Sequence, residues 1–376
     1  MAVHRRGVRV RSTETHRPTM VAARISLVLR RCRPRPLEAR RVLIDGNRSS
    51  WRSQRGQFVG RFLCSSTSPS SGDVGAGVEA DDDMPSLREY IATLGVFFTL
   101  PEQGVTSPEI LTRCSATPVR RTPSAPLRFV AAAHAVMPWA FPGYHDESHA
   151  WLNFIDENHV QYYAELRDPL TGTILAQHEL VNLAKHPSRD VAALGLKAAE
   201  DDGEGEGEGE GERRVLDNIR SRGIPFSPLP LRRRVIGQSD ALQIVGYEVR
   251  ESPGGIGQGE DPGMMMVRAR GELAARTAAQ AFVSTNHATL NPGMCGAAVL
   301  DGDMELCGCV EGVVPTAPPE EEVEAHVRAL QGMPCVVEWK DLDALLKATM
   351  GDADSADDER QARPEEPLSR REEAAR

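Results

Sequence analysis

The apolar residues of this chain come in short runs and never in long ones. Residues 95–100 (GVFFTL), 127–133 (LRFVAAA), 243–249 (QIVGYEV), 264–267, 281–284 and 297–300 are each bounded by Gly, Pro, Asn or Asp. Runs this short between turn residues read as strands, because they lack the repeat that gives a helix one apolar face. Two places read as helix instead. Residues 86–94 follow Pro85 and open on Ser86, and residues 341–350 (DLDALLKATM) place Leu342, Leu345 and Leu346 on one face. No run reaches the roughly 18 apolar residues a membrane-spanning helix needs. The expected fold class is therefore all-β with a short C-terminal helix.

Composition divides the 376 residues into ordered and unordered parts. Residues 1–72 hold 16 Arg, no Lys and only Glu14, Glu38 and Asp45 as acids, so of the formal charge of −10 this end carries +13 and the rest −23. A phosphate backbone needs a basic footprint, and an acidic body lacks one, so no nucleic-acid partner is expected for the body. Residues 1–70, rich in Arg and Ser and poor in acid, read as an organelle transit peptide, mitochondrial ahead of plastid or cytoplasmic, with residues 21–31 (VAARISLVLRR) as its amphipathic helix. The alternative is a disordered basic tail that binds RNA or acidic surfaces. Residues 351–376 are charged and nearly free of large apolar side chains, so they read as a disordered tail. Residues 198–214 contain DDGEGEGEGEGE, in which like charges repel and Gly resists ordering, and read as an acidic linker between 85–197 and 215–350.

Seven cysteines, Cys32, Cys64, Cys114, Cys295, Cys307, Cys309 and Cys335, are odd in number and dispersed, so reduced thiols are expected rather than a disulfide framework. A metal reading rests on Cys307 and Cys309 with His287 or Cys335. Its Cys-x-Cys spacing is shorter than the usual zinc knuckle, and strand alternation would turn both thiols toward one core face. No metal or organic cofactor is expected.

Three stretches carry chemistry. Residues 129–136 (FVAAAHAV) deliver His134 at the end of a small-residue strand, where a rigid element can hold an imidazole as general base. Residues 190–196 (DVAALGL) open a strand on Asp190, whose carboxylate could orient that imidazole. Residues 291–299 (NPGMCGAAV) set Cys295 between Gly293 and Gly296, and glycines there allow a sharp loop whose N–H groups form an oxyanion hole.

The order His134, Asp190, Cys295, with these flanking residues, resembles the trypsin-like (chymotrypsin-fold) serine and cysteine peptidase superfamily. Residues 285–296 (TNHATLNPGMCG) look most like the Deg/HtrA branch, with Cys in place of its Ser. The resemblance covers roughly residues 86–350. It implies two six-stranded antiparallel β-barrels, with His134 and Asp190 in the first and Cys295 in the second. It further implies a Cys-His-Asp endopeptidase acting on polypeptide substrates, with the N–H groups of Gly293 and Cys295 as the oxyanion hole. Residues 245–247 fit the strand entering the second barrel, and residues 308–312 the strand lining the cleft. Thr289, Val310 and Glu311 are the expected cleft residues, with Glu311 read first as a rim carboxylate and, alternatively, as favouring a basic side chain at the cleavage site. Two departures stand out: Cys replaces Ser, which a neighbouring His makes chemically sensible, and Ala297-Ala298 replaces the usual Gly-Pro, which is expected to alter the loop backbone. With 26 charged residues following Met350, the branch's PDZ module is not expected here. The alternative function is a catalytically inactive homologue that binds partners in an organelle.

Overall fold

The computed structural model describes residues 91–144, 147–197, 208–250, 263–286, 290–316 and 324–350. The chain is predominantly β. Its first sheet contains β1 (Ala92–Leu100), β2 (Val105–Arg120), β3 (Arg128–Ala132), β4 (Val160–Arg167), β5 (Ile174–Lys185), β6 (Val191–Leu196) and β7 (Leu229–Pro230). They lie in the order β1-β4-β5-β6-β3-β2-β7, and β1 also pairs with β2. All these pairings are antiparallel except the short parallel contact of β2 with β7.

The second sheet contains β8 (Leu242–Arg250), β9 (Gly263–Arg276), β10 (Ala281–Thr285), β11 (Ala298–Leu300), β12 (Leu306–Val313) and β13 (Pro334–Glu338). Its six antiparallel strands close into a barrel in the order β10-β13-β12-β11-β8-β9, with β9 paired back to β10. The apolar runs seen in the sequence fall in these strands, with small residues where backbones approach closely. The helices are α1 (Ala133–Val136), α2 (Glu208–Ser221), α3 (Ala325–Arg328) and α4 (Trp339–Ala348). Among the described residues no helix is long and apolar enough to cross a membrane.

Three local expectations are corrected. Residues 92–94 belong to β1 rather than to a helix, and 86–90 lie outside the described residues. The reason is that β1 is hydrogen-bonded to β2 and β4 on its two edges, while Leu94, Val96, Phe98 and Leu100 alternate into the core, as a strand buried on one side requires. The expected linker 198–214 runs from 208 onward as the first turns of α2, with 198–207 outside the described residues. Ile219 is buried in the first core with Val215 and Leu216 packed against it, and that helical spacing overrides the Gly-Glu repeat before it. The Glu212 carboxylate fastens this helix by pairing with Arg120 and accepting the Leu127 N–H at 2.7 Å.

The third correction concerns Cys307 and Cys309. The β11–β12 register jumps from Val299↔Gly308 to Leu300↔Leu306, leaving Cys307 as the extra residue of a bulge. The bulge breaks the alternation, so the two thiols enter different cores instead of sharing a face. Cys307 accepts a bond from the Arg232 guanidinium at 3.3 Å. Burial pushes the Cys307 thiol up to about 11 and that of Cys309 up to about 12. Both remain protonated at neutral pH.

The C-terminal helix forms where expected. Leu342, Leu345 and Leu346 of α4 are buried, and its acids tie it to the first sheet: Asp343 to Arg121 at 2.8 Å and Asp341 to Arg189 at 2.7 Å. The two sheets meet through Ser115 of β2. Its hydroxyl donates to the Gly293 carbonyl at 2.9 Å and accepts the Tyr247 N–H at 2.8 Å, and its own N–H reaches the Gly293 carbonyl at 2.7 Å.

Candidate active site

Antiparallel pairing explains how two residues 56 positions apart become neighbours. Strand β3 runs into the N-terminal end of β6, with Ala132 opposite Val191. One step further, the Ala133 N–H donates to the Asp190 carbonyl at 3.1 Å. His134 therefore leaves β3 just where Asp190 enters β6. The Asp190 Oδ1 accepts the His134 backbone N–H at 2.7 Å, and Oδ2 lies 2.8 Å from His134 Nδ1. An ionised carboxylate can only accept, so Nδ1 carries the proton and Nε2 is left with its lone pair.

The pair is largely shielded from water, with the His134 side chain 15% exposed and that of Asp190 2%. Burial alone would push the Asp190 carboxyl up. The facing imidazole, the bonds from its Nδ1 and from the His134 backbone N–H, and a bond from the Tyr144 hydroxyl outweigh that and hold it below the usual carboxylate range. Tyr144 also stacks on the imidazole, with centroids 5.0 Å apart and planes 14° apart, while Phe141 meets the ring edge-on at 6.4 Å. Both aromatics come from 3-10 turns after α1, the first opened by Pro138. The sequence offered no periodic signal for this cover.

The Cys295 loop is built by its glycines. Gly293 and Gly296 have φ of 97° and 86°, in the left-handed region that favours glycine. A Cβ on Gly296 would stand 2.2 Å from the Ser115 carbonyl oxygen and 3.1 Å from Ala131 Cα, so this loop lies directly on β2 and β3. Thr117 Oγ1 donates to the Gly296 carbonyl at 2.9 Å. The Met294, Gly296 and Ala297 N–H groups are committed to the carbonyls of Asn291, Val310 and Met294. Cys295 itself is 7% exposed and belongs to the same buried cluster as Ala131, Ala132, Ala133 and Ala135, the residues surrounding His134. Ala297 and Ala298 keep negative φ, so this loop turns on Gly293 and Gly296 alone.

The expected cleft residues are placed differently from one another. Thr289 lies outside the described residues. Val310 is fully buried in the barrel core, its N–H and C=O bonded to Ala297 and Gly296. Glu311 was expected to line the cleft, and it turns inward because three donors converge on it. Its Oε1 accepts the Asp190 N–H at 2.7 Å, and its Oε2 faces the Gln280 amide and the Cys335 thiol. Ser115, Thr117, Tyr144 and Gln280 were not singled out in the sequence, because isolated polar residues in strands and turns carry no pattern.

Among the described residues no group of three or more His, Cys, Asp or Glu side chains is arranged to hold a metal ion. No protein-family model matches this chain, and no curated protein matches it.

Proposed function

We propose that this chain is a trypsin-like endopeptidase with a Cys295-His134-Asp190 triad. The observation that carries the reading is the twofold bond from Asp190 to His134, which fixes the imidazole tautomer and leaves Nε2 as base. The closed barrel supports the fold reading, and so does the second edge of β1, whose pairing with β2 fits a second rolled sheet of the trypsin type.

In this mechanism His134 Nε2 takes the proton of the Cys295 thiol, and the thiolate adds to the scissile carbonyl. The N–H groups of Gly293 and Cys295 receive the oxyanion, and Asp190 stabilises the imidazolium. The imidazolium then protonates the departing amine, leaving a thioester on Cys295. His134 next takes a proton from water, whose hydroxide displaces the thiolate and releases the acid. The chemistry calls for no cofactor. Residues 1–70, outside the described part, would address the enzyme to a mitochondrion, where its substrates are polypeptides.

The test is cleavage of a denatured protein substrate by the purified chain. Cys295→Ala and His134→Ala are each expected to reduce the rate at least a thousandfold, the first with the melting temperature nearly unchanged and the second with it lowered, since the buried Asp190 carboxylate then loses its imidazole. Equal rates in wild type and both variants, or none in any, would support instead a homologue that binds partners without cleaving them.

A further inference from the structure

Beyond the triad a second acid is built into the junction of the two sheets. Glu311 sits on β12 of the closed barrel, 7% exposed, yet its Oε1 accepts the backbone N–H of Asp190, which opens β6 of the other sheet. Two side chains hold it from behind. The Gln280 amide, just ahead of β10, meets Oε2, and the Cys335 thiol of β13 lies 3.9 Å from the same oxygen. Burial first, and then the charge of Glu311, drive the Cys335 thiol well above its ordinary value, so it carries a proton toward the acid. Three donors aimed at two oxygens suit an ionised, acceptor-only carboxylate.

From this convergence we infer that Glu311 is a positioning residue for the Asp190–His134 pair, an inference that rests on the triad reading. It acts in two ways. The bond to the Asp190 N–H fixes the strand end from which the Asp190 carboxylate reaches His134. The charge also stands against the backbone of the acid that faces the imidazole, where a second negative centre favours the ring's protonated form during the reaction. The other charged or titratable groups around Glu311 are Asp190 and His134 on one side, Cys335 on the other, and His186, Arg189 and Asp341 beyond. Arg189 is bonded to Asp341 at 2.7 Å, and His186 lies 3.9 Å from Asp341. Arg189 and Asp341 thus satisfy each other's charge, while Glu311 also acts on Cys335 and on His186, whose protonated form it favours.

The test follows the His134 ring by NMR in the full-length chain carrying Cys295→Ala, with and without Glu311→Gln. The amide keeps an acceptor for the Asp190 N–H, and the Gln280 amide can rotate to meet its new donor, so the substitution removes charge with little change in shape. His134 is expected to titrate at lower pH once the charge is gone. In the chain with Cys295 intact, Glu311→Ala is expected to lower kcat about tenfold with KM nearly unchanged. An unmoved His134 titration would overturn the inference, whatever happens to turnover or melting temperature, because an acid that merely ties the sheets together does not act on the ring. If the wild-type chain cleaves nothing, the endopeptidase reading fails, and the titration still decides the part played by Glu311.

Discussion

Gly296→Ala will unfold this protein at a markedly lower temperature than wild type, by roughly 10 °C, for a loss of about 4 kcal/mol. Two costs add. Gly296 has φ of 86°, a conformation that an L side chain adopts only with strain. The new methyl would also stand 2.2 Å from the Ser115 carbonyl oxygen, a backbone atom fixed by β2 that cannot move aside as a side-chain tip would. Relief requires the Cys295 loop to lift from β2, which breaks the Thr117–Gly296 bond and strains the two Ser115–Gly293 bonds. Gly302→Ala is the control, since a Cβ there meets no atom within 4 Å. It is expected to stay within about 0.5 kcal/mol of wild type in denaturant unfolding. Equal stability of the two variants would contradict the placement of the loop.

The second large effect is on turnover. Asp190→Asn should lower kcat about ten-thousandfold while preserving the backbone around it, because one oxygen of the amide still accepts the His134 N–H. The amide's NH2 then faces His134 Nδ1, favouring the tautomer with its proton on Nε2, where it cannot accept from the thiol. The same substitution has a pH signature in stability. The folded Asp190 carboxyl lies below its unfolded value, so its contribution is complete above the unfolded value and is lost as pH falls through the folded one. Wild type is therefore expected to exceed the variant in stability at neutral pH, and the two should converge in acid. A difference that grew as the pH dropped would mean that Asp190 is not held ionised by His134.

The strands were legible in the sequence because runs such as 127–133 and 243–249 are short, apolar and closed by turn residues, and little competes with that pattern. The nearness of His134 and Asp190 was legible for a related reason: each sits at the end of a small-residue strand, and antiparallel neighbours bring such ends together. What the sequence concealed depended on distant partners. Nothing near Glu311 marks it as an inward acid, since its three donors come from residues 121, 31 and 24 positions away. Cys307 and Cys309 read as one face until a bulge, set by pairing with β11, re-aims the first toward Arg232. Residues 92–94 read as helix because strand partners at 114–116 and 164–165 cannot be seen locally. The apolar spacing of Val215, Leu216 and Ile219 is present in the sequence, but the adjacent Gly-Glu repeat masks it.

Activation of the Cys295 thiol by His134 is read out by treating the native chain at neutral pH with a peptide chloromethyl ketone and locating the adduct by mass spectrometry. Labelling is expected at Cys295 and is expected to be lost in His134→Ala, with Cys307 and Cys309 unmodified because burial keeps their thiols protonated. Labelling of Cys295 at the same rate without His134, or labelling of the buried thiols instead, would contradict it.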